Sequence, residues 1–506
     1  MAGGTWTSQN KILPGVYINV VSRENVNVNI GNRGIVAIPE ALSWGEPGVV
    51  KEILPGEALE PYIGYDLTSA KATFLREMMK GSDVTSGPIK ILLYRLPGTG
   101  GAAASVTVGY LVATAIYPGE RGNDITLVIT ADPDDAGFYD VVTVVDGYIA
   151  DSQHINDLAD LVENSWVEWE VTDPTAGIED YDATATYEVG DYCFYEGQLY
   201  VCTTAIATPE EWNAEHWEAT SIPITIQTTA GSPLSGGTDP TITNADYAAA
   251  LTAFEPYAFD IFAYDGTEPT VIAAVKQFVT RVNDSIGRKC QAVMAGDNAA
   301  VNSKFCIAVK NGVVLNDGTT LTAQQAVWWV AGAEAGALYN QSLTYAQYPG
   351  AVSANPKLTE AQTEAAIAGG MLCFIDTFGI VKVCTDIDSK TTTTPKEGAE
   401  FKKNRVMRVV NQFCNDCYEQ FSANFIGKVD NNENGRNLLR AWIIGYLNEM
   451  QANNGIQNFV AEDVSVDPGQ EIDAVIVNVA VQPVDSIEKV YMTVTVSANA
   501  VNVAVV

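Results

Sequence analysis

Apolar and polar residues alternate with a period of two at both ends of the chain. Near the start, Pro14-Gly15-Val16-Tyr17-Ile18-Asn19-Val20 is an extended apolar run, followed by Asn25-Val26-Asn27-Val28-Asn29-Ile30. At the finish, Tyr491-Met492-Thr493-Val494-Thr495-Val496 alternates, and Val501-Asn502-Val503-Ala504-Val505 does so again on the opposite parity. This period predicts half-buried strands. The phase change at Ala498-Asn499-Ala500 marks either a bulge or a separate final strand. Chain ends fray unless something ties them down, and a bare strand edge invites pairing. Both ends are therefore expected to pair, either within the protomer or with a neighbouring copy.

Between these arms the period changes. Helical patterns cover 66–79, 244–254, 270–283, 322–337, 359–369, 402–420 and 435–452, with a short helix at 155–161. Strand patterns cover 89–95, 106–108, 125–129, 139–144, 261–264, 291–294, 380–383 and 473–481, and Leu96-Pro97-Gly98-Thr99-Gly100-Gly101 breaks the chain. Strands alternating with helices on both sides of a β-rich block predict an α+β or α/β multidomain chain. The expected units are an amino-terminal arm (1–30), a discontinuous α/β core domain (31–100 plus 240–484), an inserted β-rich acidic domain (101–239) and a carboxy-terminal arm (485–506). Nested in the insertion, 168–220 carries Tyr187, Gly190-Asp191, Tyr195, Gly197, Tyr200, Pro209, Trp212 and Trp217. Glu196-Gly197 suits a tight hairpin turn. This spacing resembles a small carbohydrate-binding module of the chitin-binding type. Its aromatics serve either as the minicore of a small domain or, at Tyr195 and Trp217, as sugar-stacking faces.

Charge sharpens the division. The net charge is −34, and 29 of the acidic residues lie between Asp124 and Glu268 with no Lys or Arg among them. Such a stretch repels phosphate and nucleic acid and is expected to face outward. The start lacks a basic segment followed by an apolar one, which predicts an intracellular product, and no apolar run is long enough for a membrane span. There is no phosphate-binding glycine loop. Asp132-Pro133-Asp134-Asp135-Ala136-Gly137 fails as a calcium loop, with Ala136 at the fifth position and Thr143 at the twelfth. Two histidines, His154 and His216, argue against a catalytic triad or His-rich metal site. No catalytic centre, metal or cofactor is expected. Cys414 and Cys417 have redox or zinc spacing without a second pair, and on a helix they fall on one face as small core residues. One basic stretch stands out, with Lys402, Lys403, Arg405, Arg408, Arg436 and Arg440. On a helix, Lys402, Arg405 and Arg408 recur every three residues along one face, either as a solvated face or as a dock for an acidic protein surface.

Taken in order along the chain, several segments resemble the contractile tail sheath proteins of myophages and defective prophage particles of Gram-positive bacteria. They are Met1-Ala2-Gly3-Gly4-Thr5-Trp6, Pro14-Gly15-Val16-Tyr17-Ile18-Asn19, Pro118-Gly119-Glu120-Arg121-Gly122-Asn123-Asp124-Ile125 and Leu234-Ser235-Gly236-Gly237-Thr238-Asp239. Asn316-Asp317-Gly318-Thr319, Ala331-Gly332-x-x-Ala335-Gly336, Ser342-Leu343-Thr344, Arg405-Val406-Met407-Arg408 and 482–491 continue the likeness, while 168–220 departs from it. The resemblance implies a structural protein that polymerises into a helical tube of hexameric rings around an inner tail tube and contracts to drive that tube through a cell envelope. It implies arms that add strands to neighbouring copies, through Val16, Tyr17, Ile18, Val20, Tyr491, Val494 and Val496. The implied partners are further copies of the chain, a tail tube protein docked on the Lys402–Arg440 basic stretch, and baseplate and tail terminator proteins, with no nucleic acid and no stable membrane insertion. Its place would be the virion tail, assembled in the bacterial cytoplasm. The rival expectation is a non-contractile shell or surface-layer protein, which would also use β arms.

Overall fold

The computed structural model describes residues 30–496 and, as backbone only, Ala2–Gly4 and Gly15–Tyr17. Ile18, Val20 and the 501–505 alternation lie outside the described residues.

The core is a seven-stranded sheet of β1 (Ile35–Glu40), β2 (Val50–Ile53), β3 (Lys90–Arg95), β4 (Ile261–Tyr264), β5 (Gln291–Ala295), β6 (Cys306–Val309) and β7 (Met371–Leu372). Its order is β7-β6-β5-β4-β1-β3-β2, parallel throughout except for the edge strand β2. The strands are almost continuously apolar because both faces are covered. Alternate residues separate cleanly: Val36, Ile38, Ile261 and Val293 enter one core, while Ala37, Phe262, Ala292 and Met294 enter the other.

Helices α1 (Thr73–Met78) and α4 (Ala323–Gly336) cover the first face; α2 (Asn244–Phe254), α3 (Pro269–Arg281) and α5 (Glu360–Ala368) cover the second. Thr322 starts α4, and Thr359 starts α5, with a reciprocal capping box to the Gln three residues on. Every residue of α4 from Ala326 to Gly336 is buried, so it reads apolar on every face except at Glu334. The close approach of α4 to its neighbours needs glycine: a Cβ on Gly332 would sit 1.8 Å from the Met78 carbonyl oxygen.

Strand order reverses between β1 and β4, the place where doubly wound sheets bind phosphate groups. Here the carboxyl ends carry Glu40 and Asp265, both held above the usual carboxylate range by burial, Glu40 further by Asp265.

The insertion is a β-sandwich. One sheet runs Tyr148–Ile155, Tyr139–Val145, Ile125–Ala131, Thr229–Pro233; the other runs Val167–Val171, Leu111–Ala115, Ser105–Val108. The predicted helix at 155–161 is instead the end of a strand plus a single 3-10 turn, Leu158–Asp160. Seven residues are too few to overcome strand pairing on one side and the Asp157 cap on the other. Arg121 ties the sandwich to the core: its guanidinium donates to the Gly64 carbonyl at 2.7 Å and to Asp146 and lies over the Tyr65 ring.

The nested unit begins later than expected, because residues 168–171 belong to the sandwich strand Val167–Val171. Its own sheet is Tyr192–Tyr195, Gln198–Cys202 and Trp217–Ala219. The Glu196-Gly197 turn has positive φ at both residues, 52° and 79°, as a two-residue hairpin of this hand requires.

After the core, α6 (Asn404–Asn424) and α7 (Glu433–Ala452) enclose a separate cluster with Phe421, Phe425, Trp442 and Tyr446. Cys417 packs against this cluster within α6, and burial raises both Cys414 and Cys417 above the usual thiol range. A β-hairpin of Val464–Pro468 and Val475–Val479 lies on α7.

Candidate assembly interface

Two built anchors stand at Gly31 and at Glu488. At the amino end, the Gly31 N–H donates to Asp416 Oδ2 at 2.9 Å, and Gln412 Nε2 donates to the Gly31 carbonyl at 3.1 Å and to Asp416 Oδ1 at 2.9 Å. The Tyr446 hydroxyl donates to the same carboxylate. A Cβ on Gly31 would lie 2.4 Å from Asp416 Oδ1, so the chain passes too close for any other residue. Two residues on, Arg33 donates to the Glu334 and Ala335 carbonyls at the end of α4, and Asp260 accepts from the Gly34 and Ile35 amides at 2.8 and 3.0 Å.

At the carboxy end, Glu488 is held from three sides. Thr344 Oγ1 donates at 2.8 Å, Thr385 Oγ1 at 3.3 Å, and Lys403 Nζ completes the clasp. Asp485 lies 3.7 Å from the same lysine. Beyond Glu488 the side chains turn to solvent: Val490, Tyr491, Met492, Val494 and Val496 are 70–92% exposed. Among the described residues Tyr491–Val496 pairs with no strand. At the amino end, Gly15–Tyr17 forms a short parallel pair with Ala2–Gly4.

A second feature is the hairpin on α7. It is a two-stranded sheet whose outer edges carry no partner among the described residues. Ile472, Val475 and Ile476 on it are exposed. Beside it a cavity of about 490 Å³ is lined by Phe421, Phe425, Ile426, Leu439 and Val475, among others.

Within the expected basic docking stretch, Arg408 is enclosed while Lys402, Lys403, Arg405, Arg436 and Arg440 are half-buried. Arg408 is fully buried, donating to Glu334, to Asp386 and, at 2.7 Å, to the Gln341 carbonyl. Burial alone would lower the Arg408 guanidinium, but Asp386 and Glu334 hold it above its ordinary value. Burial works against ionised Asp386 too, yet Arg408 wins and keeps it below the carboxylate range. Burial and neighbouring Asp386 push Glu334 well up. The expectation that Arg408 touches a tube is therefore corrected: its side chain is wholly buried and bonded to Glu334 and Asp386. The neighbouring heads are also engaged. Lys402 Nζ donates to the Ile367 carbonyl at 2.6 Å, Arg405 to the Asn454 carbonyl, Arg440 Nε to the Val464 carbonyl at 2.7 Å, and Arg436 to Asn431 Oδ1 at 3.0 Å. Arg440 and Arg436 thus brace the hairpin, since Asn431 in turn donates to the Ile472 and Ala474 carbonyls.

In the nested unit, Trp217 is 5% exposed, against Tyr187 and Trp212. It is a core residue, which corrects its assignment as a sugar-stacking face. Tyr195 is half-buried and stacks on Trp212 at 4.0 Å and 3°. Among the described residues one group has metal-ligand spacing, Asp132, Asp140 and His154. Its His154 Nδ1 lies 2.9 Å from Asp140 Oδ1, and that bond raises the imidazole above its ordinary value. Asp132 meanwhile accepts from the Asp134 and Asp135 amides of its own turn. No described helix is long and apolar enough to cross a membrane.

These features describe a packed multidomain body with an exposed apolar segment beyond Glu488. Family descriptions of phage tail sheath proteins match nearly the whole chain: the domain III amino-terminal region over 33–96, the β-sandwich domain over 99–239, the central domain over 241–387 and the C-terminal domain over 396–497. The Bacillus subtilis phage-like element PBSX protein XkdK is 31% identical over 98% of this chain and all of its own length. The sheath tail protein of Desulfitobacterium hafniense is 37% identical, covering 94% of this chain and 99% of its own, with a TM-score of 0.76. That of Listeria innocua is 29% identical over 92% of this chain and 95% of its own, at 0.68. The chain belongs to the phage tail sheath protein family, and its role is structural.

Neither anchor was singled out by its chemistry in the sequence. Thr344 and Glu488 did stand inside the segments that carried the family likeness, and so did Arg408. Gly31 and Asp416 gave no signal, because their partnership spans 385 residues.

Proposed function

We propose that copies of this chain polymerise through exchanged arms into a helical tube of hexameric rings around an inner tail tube, and that the tube contracts to drive the inner one through a cell envelope. The observation that carries this is the run beyond Glu488, with five large apolar side chains exposed, together with a hairpin whose outer edges are unpaired among the described residues. A donated strand on that hairpin would satisfy both. Each main-chain bond contributes about 1 kcal/mol net, and alternate side chains set the register. A contact between unlike surfaces propagates instead of closing as a dimer. Val16, Tyr17, Ile18 and Val20 are assigned to the amino-terminal counterpart.

Contraction needs two packings of one subunit, the extended one kinetically trapped. The acidic sandwich faces outward, where like charges keep tubes apart. Baseplate and terminator proteins cap the ends, and the assembly takes place in the host cytoplasm. Docking to the tail tube falls to surfaces other than Arg408. Sugar binding by the nested unit rests on Tyr195 stacked with Trp212, and a Tyr195→Ala variant tested against chitin oligosaccharides checks it. Negative-stain microscopy of the purified protein tests the main proposal: hollow tubes in long and short forms support it, and sheets or a single invariant shell refute contraction.

A further inference from the structure

Both arm anchors sit on one helix. Lys403 immediately precedes α6 and clasps Glu488 at the root of the carboxy-terminal arm. Asp416 and Gln412 lie further along the same helix and clasp Gly31 at the root of the amino-terminal arm. Lys403 and Asp416 are thirteen residues apart in sequence, about 20 Å at 1.5 Å per helical residue. Between them Arg408 bolts α6 to α4 and to Asp386 with all three groups buried, so the helix cannot slide on the core.

We propose that α6 is the strut that sets the distance and bearing between the two arms, with one carboxylate–donor clasp just before its first turn and another past its middle. The proposal rests on the reading that the arms are exchanged between copies. In a lattice where each subunit gives both arms away, that separation fixes where one neighbour stands relative to another. The two clasps differ in kind. Asp416 is 5% exposed and also accepts from the buried Tyr446 hydroxyl, so the amino-terminal root is fixed. The Lys403 and Glu488 side chains are 24% and 15% exposed, so the carboxy-terminal root is held by groups that water can reach. When bodies rotate against each other, the carboxy-terminal root is the one able to swing.

The test uses the full-length chain. Glu488→Lys and Lys403→Glu each place like charges at the clasp, and the double variant restores an opposite pair with the signs exchanged. Each single variant should keep the wild-type melting temperature yet raise the protein concentration at which tubes form about tenfold, or change the subunit twist in the tubes that do form. The double variant should recover both towards wild type. Gly31→Ala, which drives a methyl into Asp416, should do the same at the other end, with its melting temperature checking that the body stays folded. Single variants that assemble at wild-type concentration and twist overturn the strut, and so does a double variant no better than the singles. Deleting 489–506 separates this from the parent reading. Tubes formed without that arm refute arm exchange itself, whereas loss of tubes on deletion with normal assembly of the charge variants refutes only the strut.

Discussion

Replacing Arg408 with Met removes the buried cation that is bonded directly to Asp386 and Glu334. The methionine fills most of the aliphatic volume, so the effect is electrostatic. Asp386 keeps its bonds from the Leu343 amide at 2.9 Å and Asn404 Nδ2 at 2.8 Å, but it loses its bonded cation at 1% side-chain exposure. Breaking a buried pair from one side costs about 3–5 kcal/mol. For a body this large each kcal/mol lowers the midpoint by about 2 °C, giving a drop of roughly 6–10 °C. The pH dependence carries the sharper test. In the wild type Asp386 is held below its unfolded value, so its stabilisation is present above about pH 4 and is lost as pH falls through the folded value. Without Arg408, burial dominates and the sign reverses: the folded value rises above the unfolded one, and the penalty appears only above about pH 4. The difference in melting temperature between variant and wild type, followed by tryptophan fluorescence, should be largest near pH 7 and shrink towards pH 4. Adding Asp386→Asn to Arg408→Met should recover more than half of the loss at pH 7. A pH-independent difference, or one below about 1 °C, would refute the argument that the network is held by charge.

Three other outcomes follow from the packing. Asp388, pushed up to about 8 mainly by burial, stays protonated in the folded chain while the unfolded carboxyl ionises. Stability therefore falls between about pH 4 and 8, by up to about 1.4 kcal/mol per pH unit, and Asp388→Asn should remove that slope from a series of melting curves. Gly332→Ala should cost about 1–3 kcal/mol by forcing α4 away from the Met78 carbonyl, measured as a lower urea midpoint with unchanged slope. Trp217→Ala, worth about 3–5 kcal/mol to a small core, should open the nested unit to a glutamate-specific protease while tubes still form; an intact unit, or lost tubes, contradicts its place as a self-contained attachment.

Much of the body was legible because local rules and tertiary context agree there. The helix at Asn244–Phe254 appeared at its observed bounds, and the Glu196-Gly197 turn lay where its φ angles require. The amphipathic periods of α6 and α7 located both helices, but not which charged residues face inward. A three-residue spacing of Lys402, Arg405 and Arg408 cannot distinguish a solvated face from one turned towards buried acids, because the acids come from residues 334 and 386. The same limit hid the arm anchors, whose partners meet only after the chain folds. The segments that carried the family likeness acquire physical meaning in the fold. Gly119 approaches the Ser43 carbonyl too closely for a Cβ, Asp239 accepts from Ser43 and the Glu120 amide, and Gly336 abuts the Ser86 carbonyl. These are the places where sandwich, sheet and α4 are joined, so they constrain assembly of the body more than any exposed chemistry.

A cryo-EM map of the assembled tube decides the central claim. Density for 489–496 should run as an added strand along the Val464–Pro468 and Val475–Val479 hairpin of a different copy, with Glu488 still seated against Lys403 of its own. Density for the same residues folded onto the hairpin of the copy they leave from would contradict arm exchange.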